Sequence, residues 1–351
     1  VRRFSAAVCV VLGVALVLGA CDAQFTPFAA RVDGGTVSQT TLDAALDSVA
    51  ADPGYRCLVE ATSGGATGVV GVAGGTYNAT FAASTLSLLI EADAVHVAVG
   101  RLALAEGTVA AKLARQQMAE DLSPESGSTC LYTGSQVFLG LAARFRATLV
   151  QLQTDEDALA AHTRGVTFSN AGIADYERHH RAATTLECTY AIAVASQAKA
   201  AQLAIAIDGG VSFAKVAREN SLDPSSADRG GYLGCILPGT LTRPLGGIVS
   251  GLAVGKLSGP IHFGKFWLLL KVERRAVAPL AQAALAVVAA GMAAAPAQFN
   301  TIVADAHVSV DPTYGSWGKA NGSFEVLPPT GPPLDLVPNP SAVIAGSDLG
   351  R

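Results

Sequence analysis

The sequence predicts an α+β protein in which a mainly helical first half is followed by a smaller unit of alternating strand and helix. Two observations carry this. Apolar residues recur at helical spacing through the first half, as in Leu86, Leu89, Ile90, Ala94 and Val97, the pattern of a helix with one face to bury. Over 186–274 the chain instead alternates short apolar runs with helical stretches, punctuated by Gly209, Gly210, Gly230 and Gly231, signals that break a chain into short elements. With 351 residues, 50% hydrophobic and 15% charged, there is room for two domains with their own cores, and disorder over most of the length is excluded.

Charge and hydropathy narrow the function classes. Lys and Arg number 24 against 28 Asp and Glu, a net charge of −4, so nothing suggests a nucleic-acid partner. A mean hydropathy of +0.38 would suit a membrane protein, but the apolar content is Ala, Val and Gly spread thinly among polar residues rather than gathered into long spans.

The exception is the N-terminus. Arg2 and Arg3 precede an apolar run over 6–18, short for a mature bilayer span, which reads as a signal peptide covering 1–20. The run closes on Leu18, Gly19, Ala20 and Cys21, matching the bacterial lipobox, whose cysteine thiol accepts a diacylglyceryl group. Two acyl chains, at about 0.8 kcal/mol per buried CH₂, make a stable anchor. The expected mature protein is extracytoplasmic, lipid-anchored through Cys21 to the outer face of the bacterial cytoplasmic membrane, with 21–29 as its tether. An ordinary secretory signal that happens to end in a cysteine is the alternative.

With Cys9 and Cys21 set aside, Cys57, Cys130, Cys188 and Cys235 remain, an even number that an oxidising compartment would join in one of three pairings. Pairing within each half, Cys57 with Cys130 and Cys188 with Cys235, is favoured over the others and over four buried thiols. No CxxC spacing points to zinc or dithiol chemistry, and no metal or cofactor is expected.

In chain order, 30–38 reads as a strand, a glycine turn and the N-cap Ser38, which opens a helix with Leu42, Ala45, Leu46 and Val49 on one face. A Gly-rich loop over 63–75 separates it from helices expected at 81–104, 109–121, 136–154 and 173–181. Further on, 198–207 is a helix stopped by Gly209 and Gly210, Asp223 and Pro224 open a turn, and Gly230 and Gly231 permit positive φ or close backbone approach. An alanine-rich helix follows at 281–292, extended by 299–304, then a strand and turn over 308–318. Beyond 326 the chain is rich in Pro and Gly, and 327–351 is expected to be a mostly disordered tail.

Residues Gly210, Phe213, Ala217, Ser221, Asp223, Pro224, Ser226, Ala227, Gly230, Gly231, Leu233 and Gly234 stand in the order and spacing of a parvulin-type peptidyl-prolyl isomerase, and Gly255, Ser258 and Pro260 continue the pattern. The segment 182–276 therefore resembles a parvulin domain. The opening strand and helices at 30–181 resemble the chaperone domain of SurA-like exported proteins, and the strand near Val308 resembles their closing element. The resemblance implies that 277–326 returns to pair with the first strand near Val32, so that the parvulin domain, a small antiparallel sheet packed by helices, is inserted within a helical domain.

Parvulins surround a twisting X-Pro bond, whose rotation barrier is about 18–20 kcal/mol, with two histidines and a Cys or Asp. Carrying these positions over by ungapped counting puts Ala191 at the first histidine and Leu268 at the second, or Phe266 in a shifted register. Asp223 matches the acidic position and is the remaining catalytic candidate. Leu241 and Leu245 fall at the apolar positions of the proline pocket, while Tyr232 and Cys235 replace the family's Asp and following aromatic. His179, His180 and His262 are expected to be solvated surface residues. The resemblance thus implies an exported folding factor that binds unfolded or proline-containing secreted polypeptides, with isomerase activity weak or lost. The alternative is a non-catalytic cell-envelope lipoprotein with a scaffolding or ligand-binding role. No Ser/His/Asp or Cys/His arrangement supports a hydrolase.

Overall fold

The computed structural model describes residues 27–62, 68–69, 76–104, 107–124, 128–320, 322–330 and 337–338. The signal segment 1–20, Cys21 and most of the 63–75 loop lie outside them. Strand β1 (Phe28–Val32) turns through Asp33 and Gly34, both at positive φ, into β2 (Gly35–Ser38), as an Asp-Gly pair favours in a tight hairpin. Because Phe28 and the fully buried Ala29 belong to β1, the tether expected to reach residue 29 stops short of it. Ser38 Oγ accepts the Thr41 N–H at 3.1 Å and caps α1 (Gln39–Ala51).

The helices α2 (Pro53–Thr62), α3 (Ala79–Arg101, preceded by the short strand β3, Thr76–Tyr77), α4 (Thr108–Asp121) and α7 (Asn170–His179) enclose one further stretch that departs from expectation. The single helix predicted over 136–154 is two, α5 (Gly134–Gly140) and α6 (Ala143–His162). Leu141 and Ala142 are extended between them because their polar groups find partners elsewhere: Arg146 Nη1 donates to the Leu139 and Leu141 carbonyls at 2.7 and 2.6 Å, and the Ala142 N–H donates to Ser48 Oγ at 2.7 Å. Helix α2 escaped the sequence reading because Pro53 and Gly54 obscure its period.

The second unit comprises β4 (Thr185–Val194), α8 (Gln197–Asp208), α9 (Phe213–Asn220), α10 (Pro224–Ala227), β5 (Tyr232–Ile236), α11 (Arg243–Gly251), β6 (Ile261–Phe263) and β7 (Phe266–Val277). Then α12 (Leu280–Gly291) and α13 (Ala295–Asp305) meet at a 72° bend and pack on α6, where sequence suggested one extended helical stretch. Strand β8 (Val308–Val310) pairs antiparallel with β1, Val308 opposite Val32.

The hairpin of β9 (Ser316–Ala320) and β10 (Ser323–Leu327) lies on α3, where the Val326 N–H donates to Ser87 Oγ at 2.8 Å. Leu327 is therefore strand, paired with Ser316, and not the start of a disordered tail; β11 (Val337–Pro338) pairs further on with β3. The reason is the apolar Val326, buried against α3. Helix α3 is long and apolar enough to cross a membrane, but its buried residues pack among α1, α6, β1 and β10. Much of the unusual hydropathy is thus core.

Candidate functional site

The four-stranded sheet runs β5-β4-β7-β6 with antiparallel neighbours. Alternation sorts its side chains onto two faces. Ile192, Val194 and Leu269 pack with Phe213, Val216 and Leu203 of α8 and α9, whereas Ala191, Leu268, Leu270 and Val272 face α11. On this second face the structure brings Ala191, Leu268, Leu241 and Leu245 into one apolar cluster with Val249 and Ile261. Leu241 follows the single helical turn Pro238–Thr240, Leu245 comes from α11, and both are half-buried, as is Leu268; Ala191 is buried.

No histidine considered from sequence enters the cluster. Phe266, the alternative position on β7, is two residues before Leu268 on the same strand and leaves that face apolar in either register. His262 lies opposite Trp267 with ring centroids 5.0 Å apart, and its neighbour Ile261 is the one that joins the cluster. His179 and His180 are exposed at the end of α7, His180 stacked on Tyr176 at 4.0 Å.

Asp223 is held differently from the other candidates. Its Oδ1 accepts the Ser225 N–H at 3.0 Å and Ser225 Oγ–H at 2.7 Å, and its Oδ2 accepts Ser226 Oγ–H at 2.5 Å. These bonds, chiefly the Ser225 hydroxyl, hold the carboxyl below the usual range. The side chain is the N-cap of α10, and with both oxygens occupied it has the geometry of a structural cap rather than of a proton donor. The preceding loop nevertheless runs along the site strand, for the Leu222 N–H donates to the Ala193 carbonyl at 2.7 Å.

Gly231 sits at φ +85 and its carbonyl accepts the Ala191 N–H at 2.8 Å, so a Cβ there would stand 2.5 Å from the Ala191 carbonyl oxygen. The second glycine of the pair is thus demanded by β4, the strand that carries Ala191.

Residues 185–274, just this sheet and its helices, match the rotamase family described as the PPIC-type PPIase domain. This segment is a parvulin-type rotamase domain. The chaperone SurA of Alkalilimnicola ehrlichii is 39% identical over 69 residues, 20% of this chain and 16% of its own length. The foldase protein PrsA of Geobacillus sp. is 33% identical over 81 residues, 23% of this chain and 29% of its own. The chain thus spans well under half the length of the curated relatives it matches. Among solved structures, the peptidylprolyl isomerase PrsA of Bacillus anthracis aligns over 62% of this chain and 94% of its own at 15% identity, with a TM-score of 0.32.

Two further features tie the strands of the rotamase domain together, and sequence reasoning missed one of them. Cys188 and Cys235 face each other across β4 and β5 and are disulfide-bonded, as Cys57 and Cys130 are in the helical region. The missed feature is the ion pair of Glu187 with Arg275, which reaches the end of α11. It leaves no local signal, because its residues are 88 positions apart in the chain.

Proposed function

We propose that this chain is an extracytoplasmic folding factor whose rotamase domain binds unfolded or proline-containing secreted polypeptides at the Leu241 and Leu245 cluster, with isomerase turnover weak or lost. Tethering to the membrane through a lipidated Cys21 is part of the same reading. One observation carries it: Ala191 and Leu268, which stand where the parvulin resemblance puts two histidines, lie in the same apolar cluster as the two pocket leucines. An aliphatic patch desolvates a prolyl or other apolar side chain, contributing on the order of 1.5–3 kcal/mol for each one fully buried. It supplies no imidazole to organise the rotating amide. Asp223, occupied by Ser225 and Ser226, acts here as a positioning residue.

The test pairs two assays on the full chain. In a protease-coupled prolyl-peptide assay, turnover is expected near background and flat between about pH 5.5 and 8, since no histidine titrates in the cluster. In an aggregation assay, a denatured client is expected to be protected at near-stoichiometric ratios, and Leu241→Asp with Leu245→Asp to lose most of that protection. Robust turnover that falls on Asp223→Ala would overturn the loss of activity. Absence of client protection would favour the non-catalytic envelope scaffold, and Cys21→Ser should release the protein from membranes if the anchor is lipid.

A further inference from the structure

Helices α4 and α6 and the corner between α12 and α13 enclose a cavity of about 410 Å³, remote in sequence from the rotamase cluster. Its α4 and α6 walls are acidic, with Glu120 and Asp121 from the first and Glu156 and Asp157 from the second; no Lys, Arg or His lines it. The corner supplies Met292, Pro296 and Phe299.

At its base Asp157 is 1% exposed. Its Oδ1 accepts from Gln153 Nε2 at 3.0 Å and Gln117 Nε2 at 3.3 Å, but its Oδ2 has no donor among the described residues. Gln117 Oε1, turned away by that bond, is a second buried acceptor without a donor. Flipping the Gln117 amide would exchange its roles and cost Asp157 a donor, so while Asp157 is ionised the side chains lining the cavity do not supply the missing donors.

We propose that this cavity is a binding site for an alkylammonium group carried on an apolar stem. Two desolvated acceptors are costly unless a donor reaches them, and an ammonium brings three N–H donors, no acceptor and the opposite charge. The apolar corner suits the methylene stem, which packs along apolar surface while its head stays with polar partners. A metal ion fits less well, since among the described residues no three His, Cys, Asp or Glu converge on one point. Two sources carry this chemistry, the lysine side chain of a polypeptide and a free aliphatic amine. The site does not depend on the reading of the rotamase cluster.

Burial, with the charge of Asp121 added, raises Asp157 to about 7, and Glu156 is raised to about 7 by burial and by Asp157 and Asp121. The groups facing them are Glu120 and Asp121 on α4, with Glu91 of α3 behind Glu156; α12 and α13 add no charge to the lining. Binding of a cation to the ionised carboxyls should therefore strengthen as pH rises through about 7.

The experiment is a calorimetric titration of the full chain with n-pentylamine, with 1-pentanol, calcium chloride and magnesium chloride as controls. Saturable pentylamine binding is expected at pH 8, at least tenfold weaker at pH 5.5, and absent for 1-pentanol. Asp157→Asn should lose at least tenfold in affinity. Should that variant misfold by circular dichroism, Met292→Lys, at a position 54% exposed, supplies a tethered ammonium and should abolish pentylamine binding in a folded protein. Competition by an unfolded lysine-containing polypeptide, but not by its norleucine counterpart, assigns the polypeptide source; competition by neither assigns the free amine. The proposal is overturned if pentylamine does not saturate at pH 8, if 1-pentanol binds equally, if calcium binds instead, or if both variants bind like the parent.

Discussion

Arg275 stands directly opposite Glu187 across β4 and β7, its Nε 2.9 Å from both carboxylate oxygens and its Nη2 donating to the Ser250 and Leu252 carbonyls at 3.1 and 2.8 Å. One guanidinium thus neutralises a carboxylate 4% exposed and caps the carboxyl end of α11, the helix that carries Leu245. Arg275→Met should cost about 2–4 kcal/mol, because it strands a buried charge. Glu187→Gln should cost less, about 1 kcal/mol, since the arginine is over a third exposed. Urea unfolding of the two variants checks the order, and equal costs would contradict it.

The glycines of the rotamase domain are not equivalent. Gly210 and Gly231 both have positive φ, but a Cβ at Gly210 meets nothing within 4 Å while one at Gly231 meets the Ala191 carbonyl and the Phe213 ring. Gly210→Ala should cost about 1 kcal/mol from backbone strain alone. Gly231→Ala adds a clash with backbone and should cost roughly 2–4 kcal/mol, read by the same unfolding measurement.

Stability should fall as pH rises from mildly acid to about 7. Glu91, Glu156 and Asp157 are each raised to about 7, mainly by burial, above the ordinary carboxyl range near 4 expected of the unfolded chain. A group raised in this way binds its proton more tightly when folded, so its contribution is fully present below about pH 4 and is lost as pH rises through about 7. Asp33, lowered chiefly by the His307 N–H, and Asp223 act oppositely and lose their contributions in acid. The Tm is therefore expected to be highest near pH 5 and to drop by roughly 4–8 °C by pH 8. Asp157→Asn should flatten part of that slope.

Breaking the Cys57–Cys130 link, which spans 73 residues, should cost up to about 4 kcal/mol through the entropy of the unfolded chain. Melting with and without reductant measures it. The double variant Cys57→Ser with Cys130→Ser should melt at the same temperature in both buffers except for the share due to Cys188–Cys235.

What the sequence by itself determined is the set of local and motif-level features. The Ser38 cap, the α3 period and the glycine-punctuated rotamase segment are visible because each is written within a few residues of chain. The same holds for the apolar identities at 191, 241, 245 and 268, so the poverty of the site in titrating groups is legible before any fold is known.

Only the tertiary structure decided the rest. The break at Leu141 depends on Ser48, 94 residues away from Ala142, and Leu327 becomes strand because Val326 finds Ser87 on α3. The Glu187–Arg275 clamp and the orphan acceptors of Asp157 and Gln117 likewise join positions far apart in the chain. A buried polar group is satisfied or stranded by whatever packs against it, and that is a property of the assembled molecule rather than of any window of its sequence.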